Sequence, residues 1–291
     1  MTPPGKLDRL TAILRDMESV LVAHSGGVDS TLVLRAAADA LGSRVLAVTG
    51  RSPAVPEREL SEARALAERF GVVHRFVDTA ELERPGYVAN GPDRCYHCKS
   101  ELFDTLERLR AEGGFRWIVD GTNQDDLGDH RPGMLARRER GIRSPLVEAE
   151  MTKDDVRAAS RLLGLSTAEK PAMPCLASRL PYGTPVTPEA LARVGAAEER
   201  IRALGFRQFR VRHHDDLARL EVDPAELDRA CASDVRASIT RALKEVGYRW
   251  VALDLDGYRT GSLNDVLTIR VRETGRGGET GPAKSPREAS S

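Results

Sequence analysis

The feature that most constrains the fold of this chain is a short glycine turn that joins an apolar strand to an apolar helix. The strand Val20–Ala23 leads into the turn Ser-Gly-Gly-Val-Asp-Ser at residues 25–30, and apolar residues then recur at helical spacing. The two glycines let the backbone approach an anion, which the free amides at the helix start can bind. Ser25 and Ser30 add hydroxyl donors. The carboxylate of Asp29 would repel a phosphate, but a Mg²⁺ ion on a polyphosphate would explain its presence.

This turn is not a Walker A loop, because no Gly-Lys-Ser/Thr follows it. It resembles instead the pyrophosphate-binding loop of the ATP pyrophosphatase (PP-loop) superfamily, whose enzymes split ATP into AMP and pyrophosphate to adenylate an oxygen atom. The resemblance implies that ATP and Mg²⁺ bind here and that Asp29 takes part in catalysis. The residues expected to contact the nucleotide in this turn are Ala23, Ser25, Gly26, Gly27, Val28, Asp29 and Ser30.

The first half of the chain alternates predicted strands with predicted helices. The strands are expected at Val20–Ala23, Val45–Thr49, Val72–Val77 and Trp117–Asp120, and the helices at Ser30–Leu41, Glu57–Phe70, Lys99–Leu109 and Lys153–Leu163. This alternation is typical of an α/β fold with a doubly wound parallel sheet and helices on both faces.

Ligands of such a sheet bind beyond the carboxyl ends of its strands. The 25–30 turn, residues 49–52 and residues 120–126 all follow predicted strands, so we expect them to converge on one site. The last segment alone would be an ordinary acidic turn, but beside the 25–30 turn it resembles the second nucleotide-site motif of the superfamily. The further residues expected at the nucleotide are Thr49, Arg51, Gly121, Thr122, Asp125 and Asp126.

A run of prolines begins after Lys170 and predicts a domain boundary there. We expect a nucleotide-binding domain at residues 1–170, a smaller α+β domain with an antiparallel sheet at 171–273, and a disordered tail at 274–291, where almost nothing is apolar. The elements expected in the second domain are helices at Pro188–Leu204 and Ala225–Val246, the latter whole or broken, and strands at Gln208–Arg212, Ala218–Val222 and Trp250–Asp254.

Composition limits the classes of partner and compartment. The 44 basic and 44 acidic side chains give a formal net charge of zero, so no overall field favours nucleic acid as a partner. No apolar run reaches transmembrane length and the start of the chain lacks a signal-peptide pattern, which predicts a cytoplasmic protein without a membrane partner. Four cysteines in such a protein favour metal-bound, catalytic or inert thiols over disulfides.

Three of the cysteines form a candidate metal or sulfur site. Cys95 and Cys98 make a C-x-x-C at the start of a helix, and Cys175 lies in the proline-rich segment that should face the nucleotide. Three thiolates can hold a [4Fe–4S] cluster and leave one iron open to an outside ligand. The alternative is a buried C-x-x-C with an unrelated Cys175. Cys231 lies on an apolar stripe with residues spaced by four, which predicts a core position.

Four charged residues in the second half are candidates for substrate binding. Glu198 interrupts an apolar helical stripe, so a metal, an arginine or a substrate group would explain it, unless it reaches solvent at the edge. Arg210 and Arg212 alternate on a strand and share a face, which suits a phosphate but also suits plain surface charge. Arg179 is a further phosphate candidate.

Taken together, these segments resemble the LarE family of ATP-dependent sulfur transferases over roughly residues 7–272, including a Tyr258 segment at 256–264. The family helps to build the nickel-pincer nucleotide cofactor of lactate racemase. The resemblance implies that ATP adenylates a carboxylate of a small nucleotide, pyridinium-3,5-biscarboxylic acid mononucleotide, with release of pyrophosphate. Sulfur then displaces AMP to give a thiocarboxylate. The resemblance also implies that the protein forms homo-oligomers, but it does not identify the sulfide donor.

The sulfur source divides this family. Members with only the cysteine equivalent to Cys175 transfer the sulfur atom of that cysteine to the substrate and complete a single turnover. Members with three cysteines carry a [4Fe–4S] cluster that holds an extra sulfide. With Cys95, Cys98 and Cys175, this sequence looks like the cluster type. The resemblance also implies a phosphate site and an active-site carboxylate near a divalent metal. The residues implied are Arg179, Arg210 and Arg212 for the phosphate, and Glu198 or Glu199 for the carboxylate.

Three other interpretations remain open from the sequence. A tRNA thiolase of the same superfamily could also use three cysteines, but zero net charge argues against a nucleic-acid surface. An amide-forming relative such as an NAD synthetase would not need the cysteines. A non-catalytic nucleotide-binding protein with structural zinc at Cys95 and Cys98 is the third.

Overall fold

The computed structural model describes residues 2–128 and 132–259. The elements of the first half are α1 (Pro3–Asp16), β1 (Val20–Ala23), α2 (Val28–Leu41), β2 (Val45–Arg51), α3 (Glu57–Arg69), β3 (Val73–Asp78), α4 (Pro85–Val88), α5 (Arg94–Gly113), β4 (Trp117–Val119), α6 (Pro132–Glu139), α7 (Pro145–Glu148) and α8 (Lys153–Leu162). Those of the second half are α9 (Pro188–Ala203), β5 (Phe209–His214), β6 (Leu217–Val222), α10 (Leu227–Cys231), α11 (Ser233–Glu245) and β7 (Trp250–Leu253). Short 3-10 turns lie at Gly42–Arg44, Glu81–Glu83, Gln124–Gly128, Leu176–Arg179 and Pro224–Glu226.

The first sheet has the order β3-β2-β1-β4 and all its strands are parallel. Side chains of β1 alternate between two cores: Val20 and Val22 face the cluster formed with α1, α2 and α8, whereas Leu21 faces the cluster formed with α5. Helices therefore cover both faces, and the predicted α/β fold is confirmed. The chain turns in opposite directions from β1 to its neighbours β2 and β4, which places the switch point between β1 and β4.

The second sheet corrects one prediction. Strands β5 and β6 are antiparallel, but β6 and β7 are parallel, so the sheet is mixed rather than antiparallel. The segment between β6 and β7 contains α10 and α11, and this crossover returns the chain to the same end of the sheet. A tight turn would have given an antiparallel pair.

The predicted helix at Ala225–Val246 is broken, and the break overturns the core position predicted for Cys231. Ala232 has extended backbone angles, φ −56° and ψ 139°, and separates α10 from α11. Because the helical phase restarts there, the stripe with a spacing of four does not continue onto one face. Cys231 is exposed, whereas Ile239 and Leu243 on α11 are buried.

A third cluster of buried residues contains side chains from both halves of the chain. Ala54 and Tyr87 from the first half pack there with Leu176, Leu180 and Leu191 from the second. The boundary at residue 170 remains a prediction, and the predicted tail and residues 260–264 lie outside the described residues. Within the described residues, no helix is both long and apolar enough to span a membrane.

Candidate active site

The glycine turn after β1 has the geometry of an anion-binding loop. Gly26 has φ +72°, and a Cβ there would lie 3.3 Å from the Cβ of Ala63, so glycine suits both the backbone and the space. The hydroxyls sit inside the turn: the Ser25 amide donates to Ser30 Oγ at 3.2 Å, and the Gly27 amide reaches Ser25 Oγ at 3.4 Å. The turn leads directly into α2, whose first amides are free to bind an anion.

The three segments expected at one edge of the sheet do meet there. Thr49 Oγ1, near the end of β2, donates to the His24 carbonyl at 2.6 Å. After β4, a Cβ on Gly121 would lie 2.7 Å from the Ser30 amide nitrogen, so only glycine allows this approach to the start of α2. Arg51 points to Asp78 on β3 instead, in an exposed bidentate pair. The nucleotide contacts of these residues remain predictions.

Asp29 is the centre of a network that the sequence did not reveal. Its carboxylate accepts hydrogen bonds from Asn123 Nδ2 at 3.1 Å and from Lys153 Nζ at 2.5 Å. Lys153 is the first residue of α8, and its amide donates to Asp125 Oδ2 at 2.8 Å. The side chain of Asp126 accepts from the Asn123 amide at 3.0 Å. The only sequence signal for Lys153 was its position at the start of a predicted helix.

A second lysine connects the turn to the proline-rich segment. Lys170 Nζ donates to the Gly26 carbonyl at 3.1 Å and to the carboxylates of Glu59 and Glu62, each at 2.7 Å. Lys170 is five residues before Cys175, so this network joins the start of the cysteine-bearing segment to the anion-binding turn. The sequence showed Lys170 only as the residue before a run of prolines.

Two of the three candidate cysteines, Cys98 and Cys175, pack against the third cluster, whereas Cys95 is exposed. Cys95 and Cys98 lie in the first two turns of α5, which begins at Arg94, five residues earlier than predicted. Burial, followed by interaction with Cys175, raises the pKa of Cys98 to about 12. Leu176, next to Cys175, donates its amide to the carbonyl of Ala54 after β2 at 2.8 Å. Cys175 therefore lies near the carboxyl edge of the first sheet.

Four arginines donate to backbone carbonyls of the segment at residues 172–178. These hydrogen bonds are Arg210 Nη2 to Ala172 at 3.2 Å, Arg179 Nη1 to Cys175 at 3.0 Å, Arg94 Nη1 to Ala177 at 2.9 Å, and Arg212 Nη1 to Ser178 at 2.9 Å. The three arginines predicted to bind a phosphate are thus brought together around Cys175. Arg94 joins them, although the sequence analysis gave it no role.

The charges around these arginines differ. Arg179 is fully buried and holds both carboxylate oxygens of Glu198, at 2.8 and 2.9 Å, so an arginine accounts for the buried Glu198. Arg212 makes the same kind of pair with Glu221. Arg210 has no carboxylate partner among the described residues, and its guanidinium lies 4.9 Å from the centre of the Tyr258 ring. Burial, followed by the charge of Arg179, lowers the pKa of Arg210.

A metal ion bound at this site would need some of its ligands from a bound molecule such as the nucleotide. Within residues 2–128 and 132–259, no three Cys, His, Asp or Glu side chains are already arranged to hold a metal. The carboxylate oxygens of Asp29, Asp125 and Asp126 are hard donors that fit Mg²⁺ when nucleotide phosphates supply further ligands. The three thiols have the soft donor chemistry that iron–sulfur clusters use, and burial makes deprotonation of Cys98 costly without a cation because it raises the pKa of that thiol.

Protonation of His24 should destabilise the protein below neutral pH. His24 is 2% exposed, and burial, followed by the nearby His74, lowers its pKa from 6.5 to about 4. Between these values only the unfolded state binds the proton, so the free energy of unfolding should fall by about 3 kcal/mol as the pH drops from 6.5 to 4. Denaturant unfolding of wild type and His24→Gln across this range should give a shallower pH slope for the variant; parallel curves would contradict the prediction.

Comparisons with known proteins give the family. Residues 11–86 match the model of the NAD synthase family. The chain is 46% identical to an uncharacterized protein of Synechocystis sp. over 264 residues, covering 91% of this chain and 98% of that protein. It is 41% identical to pyridinium-3,5-bisthiocarboxylic acid mononucleotide synthase of Lactiplantibacillus plantarum over 260 residues, covering 89% and 94%. The chain belongs to the LarE family.

Membership confirms the family resemblance drawn from the motifs. A more distant relative is an uncharacterized protein of Methanocaldococcus jannaschii, 26% identical over 243 residues, covering 84% of this chain and 92% of that protein. As a LarE-family protein with a PP-loop sheet, this chain is an enzyme, an ATP-dependent sulfur transferase. The roles of its individual residues remain predictions.

Proposed function

We propose that this LarE-family enzyme adenylates a carboxylate of pyridinium-3,5-biscarboxylic acid mononucleotide and converts it to a thiocarboxylate, a step toward the nickel-pincer nucleotide cofactor. The relative from L. plantarum, a pyridinium-3,5-bisthiocarboxylic acid mononucleotide synthase, supports this substrate. The observation that carries the proposal is the joining of two sites: Lys170 bonds the anion-binding turn, and Leu176 bonds the edge of the same sheet, on either side of Cys175. In this arrangement one bound substrate can react first with ATP and then with sulfur.

In the first step the turn at residues 25–30 binds the pyrophosphate portion of ATP. Free amides and the Ser25 and Ser30 hydroxyls would donate to phosphate oxygens, and Asp29 would hold a Mg²⁺ ion that offsets the charge of the polyphosphate. The substrate carboxylate attacks the α-phosphorus, the bond to the β-phosphate oxygen breaks, and pyrophosphate leaves as the charged product that the site stabilises. Lys153, which donates to the Asp29 carboxylate at 2.5 Å, would offset part of that charge.

In the second step sulfur attacks the acyl-adenylate and AMP leaves. Cys95, Cys98 and Cys175 would hold a [4Fe–4S] cluster, which supplies an open iron for an exogenous sulfide. The alternative is that Cys175 gives up its own sulfur. Arg210 is the best candidate for the substrate phosphate, because it is a buried cation whose pKa is lowered by burial and which forms no salt bridge with a carboxylate of the described residues. Arg179 and Arg212, bound to glutamates, would orient the cysteine segment.

Iron analysis tests the cluster. Anaerobically purified and reconstituted protein is expected to bind about four irons per chain, and Cys95→Ser should lose the cluster because two thiols cannot replace three. Cys231→Ser, which changes an exposed cysteine on α10, is the matched control and should keep full iron content. A Cys95→Ser variant with full iron would contradict the cluster, and a wild type without iron would favour sulfur donation by Cys175.

Product analysis tests the function itself. Incubation with ATP, Mg²⁺, sulfide and the dicarboxylate mononucleotide should release pyrophosphate and yield a thiocarboxylate, read by mass spectrometry. The tRNA thiolase alternative predicts thiolated tRNA instead. A protein that binds ATP and zinc but releases no pyrophosphate with the dicarboxylate mononucleotide would favour the non-catalytic alternative.

A further inference from the structure

A buried asparagine between α4 and α5 binds a loop from the second half of the chain. Asn90 is 0% exposed and has φ +53°, a left-handed conformation that is uncommon outside glycine. Its Nδ2 donates to the carbonyls of Pro181 and Thr184, each at 2.8 Å, and its own carbonyl accepts from the Gly183 amide at 3.1 Å. Because an unpaired buried amide is costly, these hydrogen bonds fix the loop at residues 181–184 in place.

The arginine that begins α5 extends this link to the cysteine segment. Arg94 is 4% exposed, and its Nη1 donates to Asn90 Oδ1 at 2.5 Å and to the Ala177 carbonyl at 2.9 Å. Arg94 directly precedes Cys95, and Ala177 is two residues after Cys175. One guanidinium therefore connects the start of the C-x-x-C helix to the segment that carries the third thiol.

The two segments that carry the thiols meet at one buried cluster but are not closed around a metal. Cys98 and Cys175 pack against the third cluster, to which Ala177 and Leu180 belong. Among the residues that the structure describes, no three ligand side chains are already arranged to hold an ion. Binding of iron therefore needs some closure of the two segments, and ordering them at that moment would weaken binding. Hydrogen bonds that already join the segments remove part of this cost.

We propose that Asn90 and Arg94 form a clamp that sets the separation between the C-x-x-C turn and Cys175 before any metal binds. The inference rests on the proposed function, in which Cys95, Cys98 and Cys175 act as one site. Both clamp residues are positioning residues. They act through the backbone carbonyls that they bind, and neither forms a bond with the substrate.

Cross-linking of the metal-free protein measures this separation. Full-length Cys231→Ser protein is treated with dibromobimane, which bridges two nearby thiols, and peptide mass spectrometry quantifies each bridge. The bridge between Cys95 and Cys98 lies within one helix and is the internal reference. The bridge between Cys98 and Cys175 crosses from one segment to the other, so the ratio of this crossing bridge to the reference reports on the clamp.

Asn90→Asp should lower this ratio about tenfold, because the carboxylate still accepts from Arg94 but cannot donate to the loop carbonyls. Asn90→Gly is the second variant: it keeps the left-handed backbone, loses the same donors and should lower the ratio equally. Arg94→Met removes the link to Ala177 and should also lower it. Arg110→Met is the matched control on the same helix; Arg110 donates to the Phe115 carbonyl at 2.9 Å, and its loss should leave the ratio unchanged.

A general loss of stability predicts a different pattern. Leu14→Ala opens a cavity in the cluster formed with α1, α2 and α8, and it should lower the melting temperature without changing the ratio. A fall in the ratio of Leu14→Ala equal to that of Asn90→Asp would overturn the proposal. Wild-type ratios in both Asn90 variants, or the absence of the crossing bridge from wild type, would overturn it as well. A wild-type ratio in Arg94→Met would overturn the role given to Arg94.

The cross-linking experiment and the proposed function fail in different ways. Cross-linking uses neither iron, ATP nor substrate, so it reports only on the separation of the two segments. Continued thiocarboxylate formation by Cys175→Ala would refute the proposed function whatever the ratio shows. An inactive Cys175→Ala together with a wild-type ratio in both Asn90 variants would refute only the present inference.

Discussion

Cys175→Ala should reduce thiocarboxylate formation by at least about a thousandfold while pyrophosphate release from ATP continues. Cys175 is the cysteine whose segment is bound by Arg179, Arg94 and Arg212, and sulfur transfer depends on it under both proposed sulfur sources. Adenylation depends on the turn at residues 25–30 and needs no thiol. The two half-reactions should therefore separate, with pyrophosphate measured by a coupled assay and the thiocarboxylate by mass spectrometry.

The matched control for this variant is Cys231→Ala. Cys231 is exposed on α10, and the variant should keep both half-reactions at wild-type rates. Thiocarboxylate formation by Cys175→Ala at the wild-type rate would show that Cys175 is neither a cluster ligand nor the donor. The mass of the wild-type protein after turnover separates the two sources, because donation by Cys175 leaves dehydroalanine and a cluster-bound sulfide does not.

Asp29→Asn should lower the rate of pyrophosphate release by about a hundredfold or more. The amide keeps the shape of the carboxylate and can still accept a hydrogen bond from Lys153, but it loses the charge that holds Mg²⁺ on the polyphosphate. The variant should also need a higher Mg²⁺ concentration to reach half of its maximal rate. Initial rates of pyrophosphate release across a Mg²⁺ titration measure both effects.

Asp39→Asn is the matched control on the same helix. Asp39 is half exposed and bonds Arg35 at 2.9 Å, four residues earlier on α2, so its loss should change stability by less than about 0.5 kcal/mol and leave the rate unchanged. Equal rates for Asp29→Asn and wild type would contradict a role for the carboxylate at the metal. Thermal melting of both variants separates lost chemistry from lost folding.

Local sequence signals were sufficient for the first sheet and for its ligand-binding edge. Strand β1 and the glycine turn were visible because apolar periodicity and glycine preference act within a few residues. Convergence of Thr49 and Gly121 on that turn then followed from parallel topology, since the carboxyl ends of parallel strands share one edge. Two predictions were wrong: the core position of Cys231, which the helix break at Ala232 exposes, and the antiparallel sheet, in which the crossover through α10 and α11 makes β7 parallel to β6.

The sequence by itself determined the α/β fold, the anion-binding turn and the three candidate cysteines, and its motifs carried the resemblance to the LarE family. Only the tertiary structure decided the partners of the buried charges. Arg179 forms an ion pair with Glu198, and Lys170 donates a hydrogen bond to the Gly26 carbonyl. Arg210 forms no salt bridge with a carboxylate of the described residues. Such pairs join residues far apart in the chain, and their choice depends on which side chains packing brings together in a dry interior, where an unbalanced charge is costly. The spacing of residues along the sequence therefore does not predict these pairs.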